Sequence, residues 1–245
     1  MATSGWPSYG SRKYSMGYSD VESGGGDVFQ DPSLRWAFVQ KVYGILSFQL
    51  LLTFVAAMVV VKVESVRLTV MHSPLLVIAS AIVPFILLCA LSAYHQHHPL
   101  NLILLGLFSL SFSITLGLSC AYLPANIVLE AILLTAIVVV SLTLYTFWAA
   151  RNGEDFSWLG PILFTALSIF FFSMIIQIFF PFGPLLNTIY AAVGAIIFSL
   201  YIIYDTASLL SRYSYDEYIW ASVALYLDIL NLFTFLLELL SASND

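Results

Sequence analysis

Long apolar stretches alternate with short polar breaks along most of this sequence. A helix needs about 20 mostly apolar residues to cross the hydrocarbon layer of a membrane. Seven stretches qualify: Val42–Val61, Pro74–Tyr94, Pro99–Ser119, Asn126–Trp148, Phe156–Phe180, Leu185–Leu210 and Tyr218–Leu240. Each is predicted to be a helix, because continuous apolar runs lack the alternation of a barrel strand. The pattern therefore predicts an all-α integral membrane protein with a seven-transmembrane-helix bundle.

The N-terminal residues 1–33 differ from the rest of the chain. They are rich in Gly, Ser and Tyr and contain no apolar core, so they are not a secretory signal peptide. We predict a flexible cytosolic tail. The more polar stretch Leu34–Lys41 is predicted to lie along the membrane interface, and residues 34–245 are predicted to form one transmembrane domain.

The composition also favours a lipid bilayer as the partner of this chain. Apolar residues make up 60% and charged residues only 9%, whereas an ordinary soluble domain has roughly 25% charged residues. A soluble protein of this length cannot hide so much apolar surface. Lys and Arg number only 8 and form no basic run, so no nucleic-acid partner is predicted.

Basic residues near the span ends predict the orientation, because cytoplasmic loops are enriched in Lys and Arg. With seven spans, six basic residues fall on one side and two on the other. The first group is Arg12, Lys13, Arg35, Lys41, Arg151 and Arg212, and the second is Lys62 and Arg67. The N-terminus is therefore predicted to be cytosolic. The C-terminus lies opposite if the last segment spans, and is cytosolic if that segment re-enters.

Four acidic residues lie within the apolar stretches: Glu130, Asp205, Asp228 and Glu238. A charge at membrane depth costs roughly 2.5–3.5 kcal/mol on insertion scales, so it normally faces the bundle interior or a water-filled cavity. Spans six and seven are joined by a short link and are expected to be antiparallel neighbours. At 1.5 Å per residue, Asp205 and Asp228 lie about 10–15 Å below the cytosolic surface, at similar depth.

Two carboxyl groups that meet in such a medium cannot both ionise cheaply, so they are expected to share a proton. Asp205 and Asp228 are therefore predicted to form a pH switch, bridged when protonated and repelling or cation-bound at higher pH. The nearby hydroxyls of Tyr201, Tyr204 and Tyr226 are predicted to support the pair. A structural role, in which each Asp bonds to a Tyr or a backbone carbonyl, is the alternative.

Other polar residues are weaker candidates. Glu130 and Glu238 are most simply interfacial acids, and the alternative is that they line the far mouth of a cation path. Asn231 follows Asp228 and is a further pore candidate. Asp216 is predicted to be a solvated charge in the link before the last span. The histidine-rich segment 95–98 is predicted to be a surface loop, since its spacing does not favour a metal site.

Five segments carry a resemblance to a known family. They are Lys41-Val-Tyr-Gly-Ile-Leu, Pro99-Leu-Asn-Leu-Ile-Leu-Leu-Gly, Leu142-Thr-Leu-Tyr-Thr-Phe, Tyr201-Ile-Ile-Tyr-Asp-Thr and Ala224-Leu-Tyr-Leu-Asp-Ile-Leu-Asn-Leu-Phe. With these segments the chain resembles the transmembrane Bax-inhibitor-motif family, and within it the Lifeguard branch and its plant members. The resemblance covers the chain from about residue 31 onward, and the last two segments are the most specific.

The resemblance implies six helices around a central C-terminal helix. It also implies a pH-sensitive Ca²⁺ leak that restrains programmed cell death and stress responses, with Ca²⁺ as the transported ion and no cofactor. The implied location is the endoplasmic reticulum, Golgi or vacuolar membrane, with the plasma membrane as the alternative.

The resemblance also bears on particular residues. The paired aspartates of the family fall on Asp205 and Asp228, and Asp216 matches an acid that affects conduction in some relatives. Prokaryotic relatives latch the acid pair with a basic residue from the second span, whereas Pro74–Tyr94 contains no Lys or Arg. The gate of this chain is therefore expected to be built differently or to be looser.

Two functions other than a channel are consistent with membrane aspartates or with the aromatic tail. An intramembrane aspartyl protease also needs two membrane aspartates, but Asp228 lies in Leu-Tyr-Leu-Asp instead of Gly-x-Gly-Asp, so the chain is predicted not to be an enzyme. The second is an interaction protein that binds other membrane or cell-death regulators, with its aromatic tail as the docking segment. Ion selectivity and oligomeric state stay open at this point.

Overall fold

The computed structural model describes residues 32–94 and 97–243, and helices make up its regular structure. The α-helices are α1 Pro32–Lys62, α2 Glu64–His72, α3 Pro74–Tyr94, α4 Leu100–Ala121, α5 Ala125–Arg151, α6 Leu159–Phe179, α7 Pro184–Ser211 and α8 Tyr218–Ala242. A 3₁₀ turn at Tyr215–Glu217 precedes α8. Within the described residues, seven of these helices are long and apolar enough to cross a membrane. The predicted seven-helix bundle is confirmed, while residues 1–31 of the predicted tail lie outside the described residues.

The short helix α2 was not predicted. It has 9 residues and connects α1 to α3. At 1.5 Å per residue it is far shorter than the hydrocarbon layer. It therefore does not change the number of spans.

The C-terminal helix α8 is the central helix of the bundle. It packs against α7, α5, α1 and α4, while α3 packs mainly on α4 and α6 on α7. Within its 18-residue membrane window, 56% of the residues are buried, compared with 33% or less in the other spans. A helix that is apolar on all sides is stable when it is surrounded by other helices. Val223, Leu225 and Tyr226 point to different sides of α8, and all are buried.

The start of α1 differs from the sequence prediction. Leu34–Lys41 does not form a separate interfacial stretch, because α1 is one continuous helix through these residues. Phe38 is buried and packs edge-on against Tyr215, with ring centroids 6.0 Å apart. Arg35 donates from Nε to the Leu210 carbonyl at 3.0 Å and from Nη1 to the Tyr213 carbonyl at 2.6 Å. Packing against the connection between α7 and α8 therefore extends α1 beyond its apolar stretch.

Helices α1 and α4 approach closely at Gly117. A Cβ atom at this position would lie 2.9 Å from the Cβ of Val60 and 3.2 Å from the Cα and carbonyl oxygen of Ala57. Small residues allow such close backbone contact between membrane helices. The same pair of helices carries a buried hydrogen bond from Gln49 Nε2 to Ser109 Oγ at 3.1 Å.

Candidate functional site

The carboxyl groups of Asp205 and Asp228 lie within hydrogen-bonding reach of each other. Asp205 comes from α7, about two turns before its end, and Asp228 comes from the central helix α8. Both are buried, with exposed fractions of 9% and 5%. Since α7 and α8 pack antiparallel across a short link, residues at similar distances from that link reach the same depth. The structure thus brings together the two acids that the sequence predicts to meet.

Few donors surround this pair. Among the residues the structure covers, no ion pair or hydrogen bond joins either aspartate to a Lys or Arg. Oδ2 of Asp228 is buried and receives no hydrogen bond from a described N–H or O–H group. A buried carboxyl oxygen without a donor is costly. A proton held between the two carboxyls would supply the missing donor, so the arrangement is suited to binding and releasing a proton.

Two of the predicted supporting tyrosines bond to groups other than the aspartates. The hydroxyl of Tyr201 donates to the Leu163 carbonyl of α6 at 2.8 Å. The hydroxyl of Tyr204 accepts from Arg212 Nη1 at 2.6 Å, and the Arg212 guanidinium lies 5.2 Å from the Tyr204 ring centroid. These contacts fix α7 against α6 and against the start of the next link. The predicted support of the carboxyl pair by these two tyrosines stays a prediction.

The third predicted supporting residue, Tyr226, faces away from the pair. Its hydroxyl lies 2.6 Å from Thr53 Oγ1 of α1, and its ring packs edge-on against Phe108 and Phe112 of α4. A helix turns about 100° per residue, so a side chain two positions before Asp228 lies on nearly the opposite side of α8. The prediction that Tyr226 flanks Asp228 in space is therefore wrong.

Asn231 and Asp216 are two further candidates, of which the first bonds within its own helix and the second is exposed. Asn231 is half-buried, and its Nδ2 donates to the Leu227 carbonyl of its own helix at 2.8 Å. Asp216 is exposed in the 3₁₀ turn before α8. Its neighbour Glu217 accepts a hydrogen bond from the Ser214 amide at 2.8 Å. The roles of Asn231 and Asp216 in conduction stay predictions.

The remaining two acids lie at the same end of the bundle in different surroundings. Glu130 is exposed near the start of α5. Glu238 is half-buried and lines a cavity of about 500 Å³, to which Glu130 does not contribute. The two acids therefore do not share this cavity, because α5 is not among the helices that surround it. Their role at the mouth of a cation path stays a prediction.

The end of the bundle opposite Glu238 carries Arg35, Arg151 and Arg212 and is called the basic end. It contains a cluster of contacts that the sequence does not predict. Tyr218, buried in the first turn of α8, stacks on His98 with ring centroids 5.9 Å apart, and its hydroxyl bonds to His98 Nε2. Lys41 Nζ lies 3.2 Å from the Tyr218 ring centroid, a cation–π contact. The segment 95–98 was predicted only as a surface loop, and no local pattern indicates a partner 120 residues away.

The fold and this site define a class: a seven-helix membrane protein with a buried carboxyl pair between its central helix and a neighbouring helix. The sequence matches the family described as Bax1-I, inhibitor of apoptosis-promoting Bax1, over residues 35–245. The chain belongs to this family of membrane proteins.

Similar proteins cover most of the chain. It is 52% identical to the BI1-like protein of Arabidopsis thaliana over 233 residues, which are 92% of this chain and 91% of that protein. It is 50% identical to Protein LIFEGUARD 3 of Arabidopsis thaliana over 218 residues, 88% of each chain. It is also 42% identical to the Golgi anti-apoptotic protein of Vaccinia virus (strain Lister) over 211 residues, 86% of this chain and 87% of the viral protein. The resemblance to the Lifeguard branch is confirmed.

Proposed function

We propose that this protein is a pH-sensitive cation leak channel of an intracellular membrane, that Ca²⁺ is the transported ion, and that the channel restrains programmed cell death. The observation that carries this proposal is the contact between Asp205 and Asp228 inside the bundle. Each acid at membrane depth costs roughly 2.5–3.5 kcal/mol on insertion scales. The cost of burying two acids side by side is explained if the pair binds the protons or cations that the protein moves.

The proposed gate is the protonation state of the carboxyl pair. With a proton between them, the two carboxyls hold α7 against α8 through a hydrogen bond. At higher pH the proton is lost, and two carboxylates in contact repel each other strongly in a medium of low dielectric constant. Their oxygen atoms are the ligands that Ca²⁺ prefers. Since α8 packs against four other helices, a displacement of α8 would change the packing of much of the bundle.

The proposed biological role and location come from the family. The family is described as an inhibitor of apoptosis-promoting Bax1, and the viral relative is named a Golgi anti-apoptotic protein. The second name supports an intracellular membrane, and the basic residues at one end of the spans support a cytosolic N-terminus. We propose that the channel also restrains stress responses. We also propose that the protein has no resident cofactor and no enzymatic activity; an aspartyl protease in particular is disfavoured because Asp228 lies outside the protease motif.

Ca²⁺ efflux from proteoliposomes, measured from mildly acidic to mildly alkaline pH, tests the gate. Wild-type efflux is expected to rise with pH. In Asp205→Asn and Asp228→Asn, the new amide can donate to the remaining carboxylate at every pH, so efflux is expected to stay low and nearly pH-independent. Glu154→Gln is the control, because it removes an exposed acid from the link after α5. Wild-type profiles in both aspartate variants would exclude the gate.

An interaction protein that regulates cell death is the alternative function, since the family is described by its action on Bax1 and not by an ion. The tail would then be the docking segment. Deleting residues 1–30 separates the two functions. A channel keeps its Ca²⁺ efflux after the deletion, whereas an adaptor loses its protection of stressed cells.

A further inference from the structure

The cavity that contains Glu238 opens at the end of the bundle opposite the basic end. It has a volume of about 500 Å³. The end of α4, the start of α7 and the end of α8 surround it. Its polar lining residues are Ser119, Asn187, Thr188, Thr234, Glu238 and Ser241. The cavity is thus a wide opening with a mostly apolar lining into which several side-chain oxygen atoms project.

Three of the hydroxyl groups that line the cavity already donate a hydrogen bond within the protein. Ser119 donates to the Thr115 carbonyl at 3.2 Å, Thr188 to the Pro184 carbonyl at 3.0 Å and Thr234 to the Leu230 carbonyl at 2.8 Å. Each of these bonds stays within the residue's own helix. What these hydroxyls can offer to a ligand in the cavity is therefore their oxygen lone pairs. A cation, or the water molecules around a cation, requires acceptors of this kind.

The charge of the cavity has the matching sign. Glu238 is the one charged residue in its lining, as far as the structure describes it. Its side chain is half-buried, and its carboxylate makes no hydrogen bond or ion pair with the described residues. Two of the three helix ends at the cavity are C-termini, whose last carbonyl groups carry partial negative charge. The third is the N-terminus of α7, whose partial positive charge opposes a cation but is reduced by one N–H group because Pro184 has none.

We propose that this cavity is a weak binding site for a hydrated divalent cation, in which Glu238 supplies the charge and the surrounding hydroxyls supply neutral oxygen atoms. The inference rests on the proposed function, because the site lies where a cation would enter the bundle from the side opposite the basic end. One water occupies roughly 30 Å³, so the ion keeps much of its hydration shell. With one carboxylate, we expect a Ca²⁺ dissociation constant of about 10⁻⁴–10⁻³ M, as in sites with few charged ligands.

Tyrosine-sensitised Tb³⁺ luminescence reports on this site, since Tb³⁺ takes the same oxygen ligands as Ca²⁺. Tyr122 lines the cavity. The four tryptophans of the described chain, Trp36, Trp148, Trp158 and Trp220, belong to helix ends and links at the basic end. Full-length protein in detergent is titrated with Tb³⁺, excited in the tyrosine band, and then titrated with Ca²⁺. We expect sensitised emission that about 10⁻⁴–10⁻³ M Ca²⁺ displaces.

Two acid variants make the test specific. Glu238→Gln removes the one carboxylate that the described residues contribute to the cavity, and it is expected to weaken Tb³⁺ binding by at least about tenfold. Glu130→Gln removes an exposed acid at the same end but outside the cavity, and it is expected to bind like wild type. Unchanged binding in Glu238→Gln, or an equal loss in both variants, would overturn the inference.

Binding and flux are measured separately, so the two proposals can fail separately. If wild-type protein shows no Ca²⁺ efflux but Glu238→Gln still weakens Tb³⁺ binding, the cavity site stands and the channel proposal fails. If efflux follows the aspartate pair as proposed but Glu238→Gln binds Tb³⁺ normally, the cavity site fails and the gate stands.

Discussion

The hydroxyl of Tyr226 lies 2.6 Å from Thr53 Oγ1 in the interior of the bundle. Either hydroxyl can be the donor in this contact, because Thr53 can also donate to the Gln49 carbonyl at 2.8 Å and Tyr226 to the Ser109 carbonyl at 3.5 Å. Both side chains are almost fully buried. The contact joins the central helix α8 to α1 on the side of α8 that faces away from Asp228.

Tyr226→Phe removes this hydrogen bond and keeps the ring that packs against Phe108 and Phe112. We expect the free energy of unfolding in detergent to fall by about 0.5–1.5 kcal/mol, the usual net value of one buried hydrogen bond. The pH profile of Ca²⁺ efflux is expected to match wild type, because the hydroxyl does not face the carboxyl pair. A flattened profile would show that Tyr226 acts on the gate after all.

The close contact of α1 and α4 at Gly117 gives a second prediction. In Gly117→Ala the added methyl group meets Val60 Cβ at 2.9 Å and the Ala57 backbone at 3.2 Å, so the helices must separate. We expect a loss of about 1–3 kcal/mol in unfolding free energy, as for other overpacked sites. Gly106→Ala is the matched control in the same helix, with no atom within 4 Å of the new Cβ, and is expected to be neutral or slightly stabilising. Equal effects at both glycines would contradict the packing.

The sequence predicts the spans because apolar length alone determines which helices can cross a bilayer. The predicted span Phe156–Phe180, for example, appears as Leu159–Phe179. The meeting of Asp205 and Asp228 could also be predicted, since two helices joined by a short link are antiparallel neighbours and their depths follow from the helical rise. Both predictions depend on local length and spacing.

The rest depends on packing between segments that are distant in sequence. Tyr226 was placed beside Asp228 because the two are close in the chain, although neighbouring helix positions face different directions. The contact of Tyr218 with His98 needs the α3–α4 link to reach the start of α8. The cavity at Glu238 needs the ends of three helices to meet. The hydrophobic pattern of the sequence does not predict these contacts between distant segments.

The link between α5 and α6 provides a prediction about pH. Asp155 is exposed, and its Oδ1 accepts hydrogen bonds from the hydroxyl and the amide of Ser157, the latter at 2.9 Å. These bonds, with a smaller attraction from Arg212, hold the pKa of the Asp155 carboxyl below its ordinary value. Ser157→Ala is expected to raise this pKa towards that value, whereas Ser157→Thr keeps the hydroxyl and is expected to retain the low pKa. Carboxyl ¹³C shifts of Asp155 across pH measure it.

The sign of the resulting pH dependence follows from the lowered pKa. The carboxylate of Asp155 stabilises the folded link fully above the unfolded-state pKa of about 3.9. That stabilisation is lost as pH falls through the lower folded-state value. Ser157→Ala is therefore expected to reduce the acid sensitivity of the link. A variant whose Asp155 titrates like wild type would show that the Ser157 hydroxyl does not act on this carboxyl.

Arg35 connects the start of α1 to the end of α7 through two hydrogen bonds, to the carbonyls of Leu210 and Tyr213. Arg35→Lys keeps the positive charge but cannot reproduce the planar fork that bonds two carbonyls at once. Since hydrogen bonds to charged groups are worth about 1.5–3 kcal/mol, we expect a clear fall in the unfolding temperature. Arg212→Lys is the matched control, because Arg212 is exposed and its bond to Tyr204 is expected to contribute less than about 1 kcal/mol. Equally small effects of both substitutions would mean that charge at this end, and not the geometry of the guanidinium, holds α1 against α7.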